Sequence, residues 1–381
     1  MNVLFAIKSM TVEGGGAEKV LAAVANGLVA RTHRVGVLTF DHPGPSFFQL
    51  APTIQRYEMA CNTPGTPTNP LAFLRAVPRI RRTVREFRPD VVIGFMHSMY
   101  VPLYFAMYGI HIPMIASEHT EARHYQGRPL QRVLRRLPER SAVFRTVASV
   151  QARQSFLDSN GGDSMVIHNP ISLLAFTAGR STQPSTPPSI LTLGSFRAEK
   201  DHATLLTAFA EVAPEFPDWR LRLVGDGALR PRLEAQRAAL RLEDRVEMPG
   251  FTRDVAAAYA GARFLVLPSR YESFGLVAAE ALASGRAVLG FDDCAGLREI
   301  VSDGVNGLLV PGVSDSTARA SHLAAGLRRL MADPDLCDRL GAAGPAAVTR
   351  FDLDAVLDRW EEVIGMAVQP QGQSSRPSGR P

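Results

Sequence analysis

Short apolar runs alternate with amphipathic segments along the first 172 residues of the chain. Such runs are typical of buried strands, whereas apolar residues repeated every three to four positions are typical of helices. The predicted strands are residues 3–7, 35–39, 91–94, 114–117 and 143–148, and the predicted helices are residues 17–30, 73–87 and 130–137. Strands separated by helices favour a parallel, doubly wound sheet. We therefore predict a Rossmann-like domain over residues 1–172.

The same alternation resumes after a polar, proline-rich stretch that we interpret as a linker, residues 173–189. A second Rossmann-like domain is predicted over residues 190–352. Its strands are residues 190–193, 220–224, 246–248, 264–267, 287–290 and 307–310, and its helices are residues 202–213, 229–240, 255–260, 276–283 and 316–331. A last helix follows at 353–369, and the tail 370–381, rich in Pro, Gly, Gln and Ser, is predicted to be disordered. Two facing α/β sheets leave a cleft at the carboxyl ends of their strands, where ligands bind.

The composition is that of an ordinary globular protein, with 46% hydrophobic and 21% charged residues among 381. Three cysteines without a Cys-x-x-Cys spacing predict neither a metal cluster nor a disulfide framework, and they fit a reducing cytoplasm best. The first apolar run has no basic region before it, so we expect a strand there and not a signal peptide. No uninterrupted apolar stretch reaches 18 residues, so a membrane-spanning helix is not expected.

Arginine is concentrated in two segments that also carry apolar residues at helical spacing. Six arginines fall within residues 75–88 and seven within residues 123–145. Basic amphipathic helices of this kind can lie on an anionic membrane, with each arginine near the surface contributing about 1 kcal/mol. The alternative is a solvated face of an arginine-rich protein. Nucleic acid is not expected as a partner, because no aromatic platform or binding motif accompanies the charge.

One segment, residues 268–285, combines a strand end, a short loop and a helix start, with Glu272 in the loop and Glu280 eight residues later. The first amides of a helix have no internal partners, so this arrangement predicts an anion site. The amides would come from Ser273, Phe274, Gly275, Leu276 and Val277. A helical rise separates the two glutamates by about 12 Å, which is too far for a pair that shares one proton. The spacing suits two acceptors at opposite ends of an extended ligand with phosphates between them.

The sequence Pro-Ser-x-x-Glu-Ser-Phe-Gly with a second glutamate at 280, followed by residues 296–307, resembles the donor-site signature of family-4 retaining glycosyltransferases. The resemblance implies the GT-B fold, in which the helix at 353–369 returns to the N-terminal domain. It also implies that Glu272 holds hydroxyls of the transferred sugar and that Glu280 holds the ribose hydroxyls of the nucleotide. The similarity extends to bacterial transferases that extend lipid-linked glycans.

Two further motifs of the N-terminal domain resemble the same family. Residues 13–19 form a glycine-rich turn between the first strand and the first helix, and glycine lets the backbone approach a ligand closely. In the family this loop lies beside the donor phosphates, which points to Gly15 and Gly16. The segment Ser-Glu-His at 117–119 follows a strand. The resemblance implies that His119 contacts the sugar 6-hydroxyl and orients the reacting centre.

The C-terminal domain carries a loop, residues 194–200, that resembles the family's Gly-Arg-x-x-x-x-Lys. Lys200 falls on the phosphate-binding lysine, but Ser195 replaces the arginine. Arg197 is a candidate substitute, because a guanidinium can bind a diphosphate through two parallel hydrogen bonds. Gly225 lies in a matching turn, and the backbone of Met248 is a candidate contact for the nucleotide base.

These residues lead us to expect metal-independent transfer of a hexose or N-acetylhexosamine from a UDP-sugar, with retention of configuration and no cofactor. No Asp-x-Asp follows a strand beside the donor site, and helix amides with Lys200 would stabilise the departing diphosphate. The expected acceptor is a polyprenyl-linked glycan in cell-surface polysaccharide assembly, with a soluble small molecule or natural product as the alternative. A catalytically retired GT-B protein that binds glycans is the non-enzymatic alternative. The expected location is the cytoplasm, with the inner face of the plasma membrane left open.

Overall fold

A seven-stranded parallel sheet forms the first half of the protein in a computed structural model that describes residues 1–61, 69–141, 144–158, 164–177 and 186–369. In chain order its strands are β1 (Asn2–Ile7), β2 (Arg34–Thr39), β3 (Gln55–Glu58), β4 (Val91–Phe95), β5 (Met114–Glu118), β6 (Phe144–Val147) and β7 (Met165–Val166). Their spatial order is β3-β2-β1-β4-β5-β6-β7. The central strands are apolar almost without interruption, because helices cover both faces of the sheet.

The described residues of this half form six α-helices: α1 (Gly16–Ala30), α2 (Pro70–Phe87), α3 (His97–Ala106), α4 (Pro129–Ser141), α5 (Val150–Asp158) and α6 (Leu173–Thr177). The start of α2 illustrates how the sequence sets a boundary. The Asn69 side chain accepts hydrogen bonds from the amides of Leu71 and Ala72, and Pro70 occupies the first helical position, where its missing N–H costs nothing. The helix ends at Arg88, which adopts a left-handed conformation.

A six-stranded parallel sheet forms the second half, in the order β10-β9-β8-β11-β12-β13. Its strands are β8 (Ser189–Leu193), β9 (Arg220–Val224), β10 (Val246–Gly250), β11 (Phe264–Leu267), β12 (Ala287–Phe291) and β13 (Gly307–Val310). The helices are α7 (His202–Val212), α8 (Arg230–Ala239), α9 (Val255–Ala260), α10 (Leu276–Ala283), α11 (Ala295–Arg298), α12 (Ser316–Ala332), α13 (Pro334–Val348) and α14 (Leu353–Val368). Two doubly wound parallel sheets confirm the predicted fold class.

The last helix, α14, packs on the first sheet and not on the second. Its buried face includes Trp360, which is 2% exposed and stacks against Phe95 of β4 with ring centroids 6.1 Å apart. Phe5 of β1 meets the same indole edge-on. The chain that leads into α14 pairs with the first half as well, because the amide of Leu353 donates to the carbonyl of Ile171. The hydrophobic core of the first half is therefore completed by residues from the end of the chain.

Helix α13 was not predicted from the sequence. Its second half contains two glycines and a proline, which are unfavourable in the interior of a helix. The structure gives the glycines a packing role, because a Cβ on Gly341 would lie 2.3 Å from the carbonyl oxygen of Gly285, and one on Gly344 would lie 2.5 Å from that of Leu282. Only glycine allows α13 to approach the backbone around α10 so closely.

Two predicted segments, the linker and the C-terminal tail, lie partly or wholly outside the described residues, and some observed elements were not predicted. The predicted linker contains α6, while its residues 178–185 lie outside the described residues, as does the tail 370–381. Strand β3, helices α3 and α5, and the two-residue β7 were also absent from the predicted elements. In the described ranges, no helix combines the length and the apolar character needed to cross a bilayer.

We predict that Trp360→Ala lowers the free energy of unfolding by about 3–5 kcal/mol, because it removes a buried indole and leaves a cavity between α14 and the first sheet. The measurement is the midpoint of urea denaturation followed by circular dichroism. Val368→Ala, at a position 37% exposed at the end of the same helix, is the control and should change little. Equal midpoints for both variants would contradict a stabilising role of α14.

Candidate active site

Four loops, each at the carboxyl end of a strand, build the candidate site from both halves. The first half supplies the loop after β1, with Gly14–Gly16, and the segment after β5, with His119. The second half supplies the loop after β8, with Lys200, and the loop after β11, with Glu272. Ligands of doubly wound sheets bind at this end of the strands, so the location agrees with the chemistry expected of the residues.

The carboxylate of Glu272 is held by an ion pair and a hydroxyl. Lys200 Nζ lies 2.5 Å from Glu272 Oε1, and Ser269 Oγ donates to the same oxygen at 2.7 Å. The side chains of Glu272 and Lys200 are only 13% and 23% exposed. Partial desolvation strengthens the attraction between the charges, so the structure fixes the lysine against the loop that precedes α10.

Glu280, on the second turn of α10, is 3% exposed and is paired across the cleft. Its Oε1 accepts from Lys19 Nζ of α1 at 2.5 Å, and its Oε2 accepts from the Tyr259 hydroxyl at 3.0 Å. Burial, followed by the charge of Glu280, raises the pKa of Tyr259 well above its ordinary value, so the phenol remains a hydrogen-bond donor. Each carboxylate oxygen keeps a second lone pair for a ligand hydroxyl.

A cavity of about 350 Å³ lies between the two halves, and Glu280 is one of the residues that line it. Its walls include Lys19, Phe251 and Arg253, which the sequence did not predict as site residues. They also include five residues that it did predict: Gly15, Gly16, Gly225, Leu276 and Val277. The first helical amides that bond back to Gly275 belong to Ala278 and Ala279. The amides of Leu276 and Val277 precede them and are therefore the outward-pointing donors of α10.

Glycines allow the cavity walls to approach each other. Gly275, at the start of α10, has φ +96°, in the left-handed region that favours glycine. A Cβ on Gly225 would lie 1.9 Å from the carbonyl oxygen of Gly194, and one on Gly194 would lie 4.0 Å from Lys200 Cε. Because Gly194 lines the cavity, Lys200 lies at its edge, and the Lys200–Glu272 pair is therefore next to the space that Glu280 lines.

His119 lies on the first half, stacked on the Phe95 ring with centroids 4.5 Å apart. Its Nε2 is 3.0 Å from the Ser117 hydroxyl. Burial lowers the pKa of the imidazole to about 4, although the charge of Glu118 acts in the opposite direction. The ring is therefore neutral at physiological pH, with a fixed orientation, and is suited to hydrogen bonding and not to supplying a positive charge.

The structure does not bring every predicted residue into this cavity. The carbonyl of Met248 accepts from Arg230 at 2.7 Å, and its side chain is buried. Phe274 packs edge-on against Phe351 in the core, and the Ser273 carbonyl accepts from Ser149 of the first half at 2.6 Å. Ser273 and Phe274 therefore hold the Glu272 loop in place. Neither they nor Met248 line the cavity.

Arg197 is exposed at the start of the turn that contains Lys200. Its charge acts to lower the pKa of Glu18 on α1, which burial raises overall. Glu18 folds back over the glycine loop, because a Cβ on Gly15 would lie 2.1 Å from its carboxylate. Arg197 therefore faces the loop that follows β1, on the side where the resemblance places the donor phosphates.

Sequence reasoning missed several residues of the site. Lys19 gave no signal, since a lysine at the start of an amphipathic helix usually faces solvent. Phe251 and Arg253 follow β10 only three to five residues after the predicted Met248, so the turn was recognised but the residues were not. Glu121, 3% exposed and two positions after His119, was also missed.

Two doubly wound domains with a cavity at their facing strand ends define the GT-B class of glycosyltransferases. Residues 14–173 match the family Glycosyltransferase Family 4, and residues 177–347 match the family Glycosyl transferases group 1. Phosphatidyl-myo-inositol mannosyltransferase of Mycobacterium tuberculosis is 30% identical over 318 residues, which cover 79% of this chain and 82% of that protein. The chain belongs to the family-4 glycosyltransferases, as the resemblance implied.

Two other comparisons bear on length and on fold. Exopolysaccharide phosphotransferase SCO2592 of Streptomyces coelicolor is 35% identical over 181 residues, and the match spans 47% of this chain but only 18% of that protein. The crystal structure of Anabaena Alr3699/HepE in complex with UDP-glucose superposes with a TM-score of 0.77 at 20% identity, covering 96% of this chain and 99% of that one. At this identity the second comparison bears on the fold alone.

We predict that Gly296→Ala reduces glycosyl transfer at least tenfold. Gly296 supports the Glu272 loop from α11, and a Cβ there would lie 2.3 Å from the Glu272 carbonyl oxygen and 2.8 Å from the Phe274 amide. Both are backbone atoms, so the loop must move. The measurement is the transfer rate with the variant's far-ultraviolet circular dichroism unchanged.

Gly365→Ala provides the matched control, because nothing lies within 4 Å of its Cβ position in α14. It should keep full activity and gain up to about 1 kcal/mol of helix stability. Wild-type transfer by Gly296→Ala would mean that the position of the Glu272 loop does not matter.

Proposed function

We propose that the protein is a retaining glycosyltransferase that moves a hexose or N-acetylhexosamine from a UDP-sugar to a polyprenyl-linked glycan in polysaccharide or glycan assembly. The observation that carries this proposal is the Lys200–Glu272 pair beside a cavity that is lined by Glu280. The pair offers a phosphate-binding cation and an acceptor for sugar hydroxyls. The cavity offers a buried carboxylate for a ribose.

The proposed UDP-sugar donor is supported by the volume of the cavity and by the residues that line it. Its volume of about 350 Å³ falls in the range of small-ligand sites. Phe251, 40% exposed, gives an aromatic surface for a base, and Glu280 gives the acceptor for vicinal hydroxyls. The similarly folded Anabaena protein binds UDP-glucose, which supports a uridine donor here.

The reaction requires that negative charge on the departing diphosphate be stabilised. Lys200 and the amides at the start of α10 lie at the edge of the cavity, where they would stabilise this charge. We assign the role to these groups and not to a metal ion. Retention would follow from front-face attack, in which a phosphate oxygen of the leaving group takes the acceptor's proton. Neutral His119 would orient the transferred sugar through its 6-hydroxyl.

The proposed lipid-linked acceptor is supported by exposed apolar side chains in the first half of the protein. Helix α3 packs between α2 and α4, and side chains that are 47% to 80% exposed lie on or next to these three helices: Leu71, Leu74, Phe105, Tyr108, Leu130 and Val133. Exposed Arg75 and Arg132 lie among them. A patch with this composition fits a membrane surface that carries a lipid-linked acceptor.

Only some arginines of the two clusters, residues 75–88 and 123–145, are free to contact a membrane surface, because others bind within the protein. Arg79 and Arg81 donate to backbone carbonyls of neighbouring segments, and Arg135 is buried against Tyr125 and Phe156. Arg135 is buried, so the solvated-face interpretation fails for it, whereas Arg79 remains exposed although it donates to a neighbouring segment. The three cysteines are free and buried, which fits work at the cytoplasmic side of the membrane.

We predict that Glu272→Ala and Lys200→Ala each lower transfer by at least about 100-fold, because Glu272 positions the transferred sugar and Lys200 stabilises the charge that develops on the diphosphate. UDP release from a panel of UDP-sugars, with and without acceptor, is the measurement. Glu211→Ala, which removes a half-exposed carboxylate on α7, should keep wild-type rates. Wild-type transfer by either site variant would refute the assignment, and a wild-type protein that turns over no donor would favour the retired glycan-binding alternative.

We predict that the protein co-sediments with vesicles of phosphatidylglycerol and phosphatidylcholine at low salt and less at high salt, because screening weakens the arginine contribution. Leu71→Ser with Leu74→Ser should reduce the bound fraction several-fold. Val305→Ser, at an exposed apolar position of the second half, should not. Absence of binding at low salt would favour the soluble acceptor.

A further inference from the structure

Two buried glutamates flank His119, and their surroundings differ sharply. Glu118 is 1% exposed and accepts hydrogen bonds from the Tyr100, Tyr125 and Thr120 hydroxyls and from the amides of His119 and Thr120. Burial acts to raise the pKa of Glu118, but the charge of His97 and the hydroxyl donors outweigh it and hold the pKa below its ordinary value. Glu118 is therefore a satisfied structural carboxylate that fixes the end of β5.

Glu121 is 3% exposed, but its carboxylate is not satisfied in the same way. Among the residues that the structure describes, Oε1 of Glu121 is buried and has no hydrogen-bond partner. A buried carboxylate oxygen without a donor costs stability, and native proteins keep such groups where they have a use. The contrast with Glu118, three residues earlier, suggests that Glu121 is kept for a ligand.

The position of Glu121 identifies the site it serves. Its carboxylate lies against the backbone N–H of Glu272, on the other side of the cleft. The charge of Glu121 also acts to raise the pKa of Tyr271 and of Cys294, which lie on that side. Within the described part of the chain, the cation whose charge acts on Glu121 is Arg123, two positions later, and Arg123 is exposed. Lys200 lies on the same side as Glu272 but is bound to it.

We propose that Glu121 is a sugar-binding residue of the transfer site, whose free carboxylate oxygen accepts a hydroxyl of the transferred sugar opposite Glu272. This inference rests on the proposed function, since it assumes that Glu272 faces the sugar of a UDP-sugar. A sugar held between Glu121 and Glu272 contacts both halves of the protein at once. Glu121 would therefore discriminate a complete donor from UDP, which ends at the phosphate.

The ionisation of Glu121 provides a specific signature. Burial raises its pKa to about 7, the charge of Arg123 opposes this, and the charge of Glu272 adds to it. The ionised fraction then increases from about one tenth at pH 6 to about nine tenths at pH 8. The ionised form makes the stronger hydrogen bond to a hydroxyl, so the affinity for a UDP-sugar should increase up to roughly tenfold over this interval.

The test is calorimetric titration of the full chain with UDP, UDP-glucose and UDP-N-acetylglucosamine at pH 6 and pH 8. We expect Glu121→Gln to weaken binding of the preferred UDP-sugar at pH 8 at least about fivefold, to leave UDP within about twofold, and to remove the pH dependence. Its melting temperature at pH 8 should stay the same or increase, because the substitution removes a buried charge. Glu86→Gln, on the exposed surface of α2, is the control for loss of a carboxylate.

Three other results of this titration would each contradict either the role of Glu121 or the proposed function. Equal binding of UDP-sugar by wild type and Glu121→Gln at both pH values would overturn the role of Glu121 and leave the proposed function standing. Equal losses for UDP and UDP-sugar, with a lower melting temperature, would make Glu121 structural and overturn its role as a sugar ligand. A wild-type protein that binds none of the three nucleotides would overturn the proposed function itself, and the inference with it.

Discussion

The ion pair between Lys19 and Glu280 is the interaction on which the geometry of the cleft depends. It joins the first helix of one sheet to the helix after β11 of the other, and the carboxylate is almost fully buried. A buried carboxylate needs a cation or several donors, so Glu280 holds the two halves at a distance that Lys19 can span. The same carboxylate lines the cavity. The ion pair therefore links the separation of the two halves to the negative charge in the cavity wall.

The loops that carry Lys200 and Glu272 are linked by buried groups behind the cleft. Arg319 of α12 is 1% exposed, pairs with Asp293 at 2.8 Å, and lies 3.5 Å from Asp201, next to Lys200. Its second amino group reaches the Ser269 carbonyl at 3.4 Å. One guanidinium thus connects both loops, which keeps the ammonium and the carboxylate of the site at a fixed separation. The site is pre-formed because its supports are packed.

The sequence allowed prediction of most elements but not of the contacts between them. The strand, loop and helix around Glu272 follow from local composition, and so do the second sheet and the strands of the first sheet other than β3 and β7. Lys19 and Glu121 could not be predicted, because each acquires its role only from a residue more than 150 positions away on the other half. Helix α13 was missed for a related reason, since its glycines are explained by the backbone they touch and not by their neighbours in sequence.

Three cations of the cleft each face an acid before any donor enters: Lys19 faces Glu280, Lys200 faces Glu272, and Arg197 faces Glu18. A diphosphate alone would add negative charge beside cations that already have partners. The amides at the start of α10 offset part of this charge, and hydroxyls that donate to the glutamates release the lysines to the phosphates. Because both effects are needed together, the arrangement favours a ligand that carries phosphates and hydroxyls at the right spacing over phosphate alone.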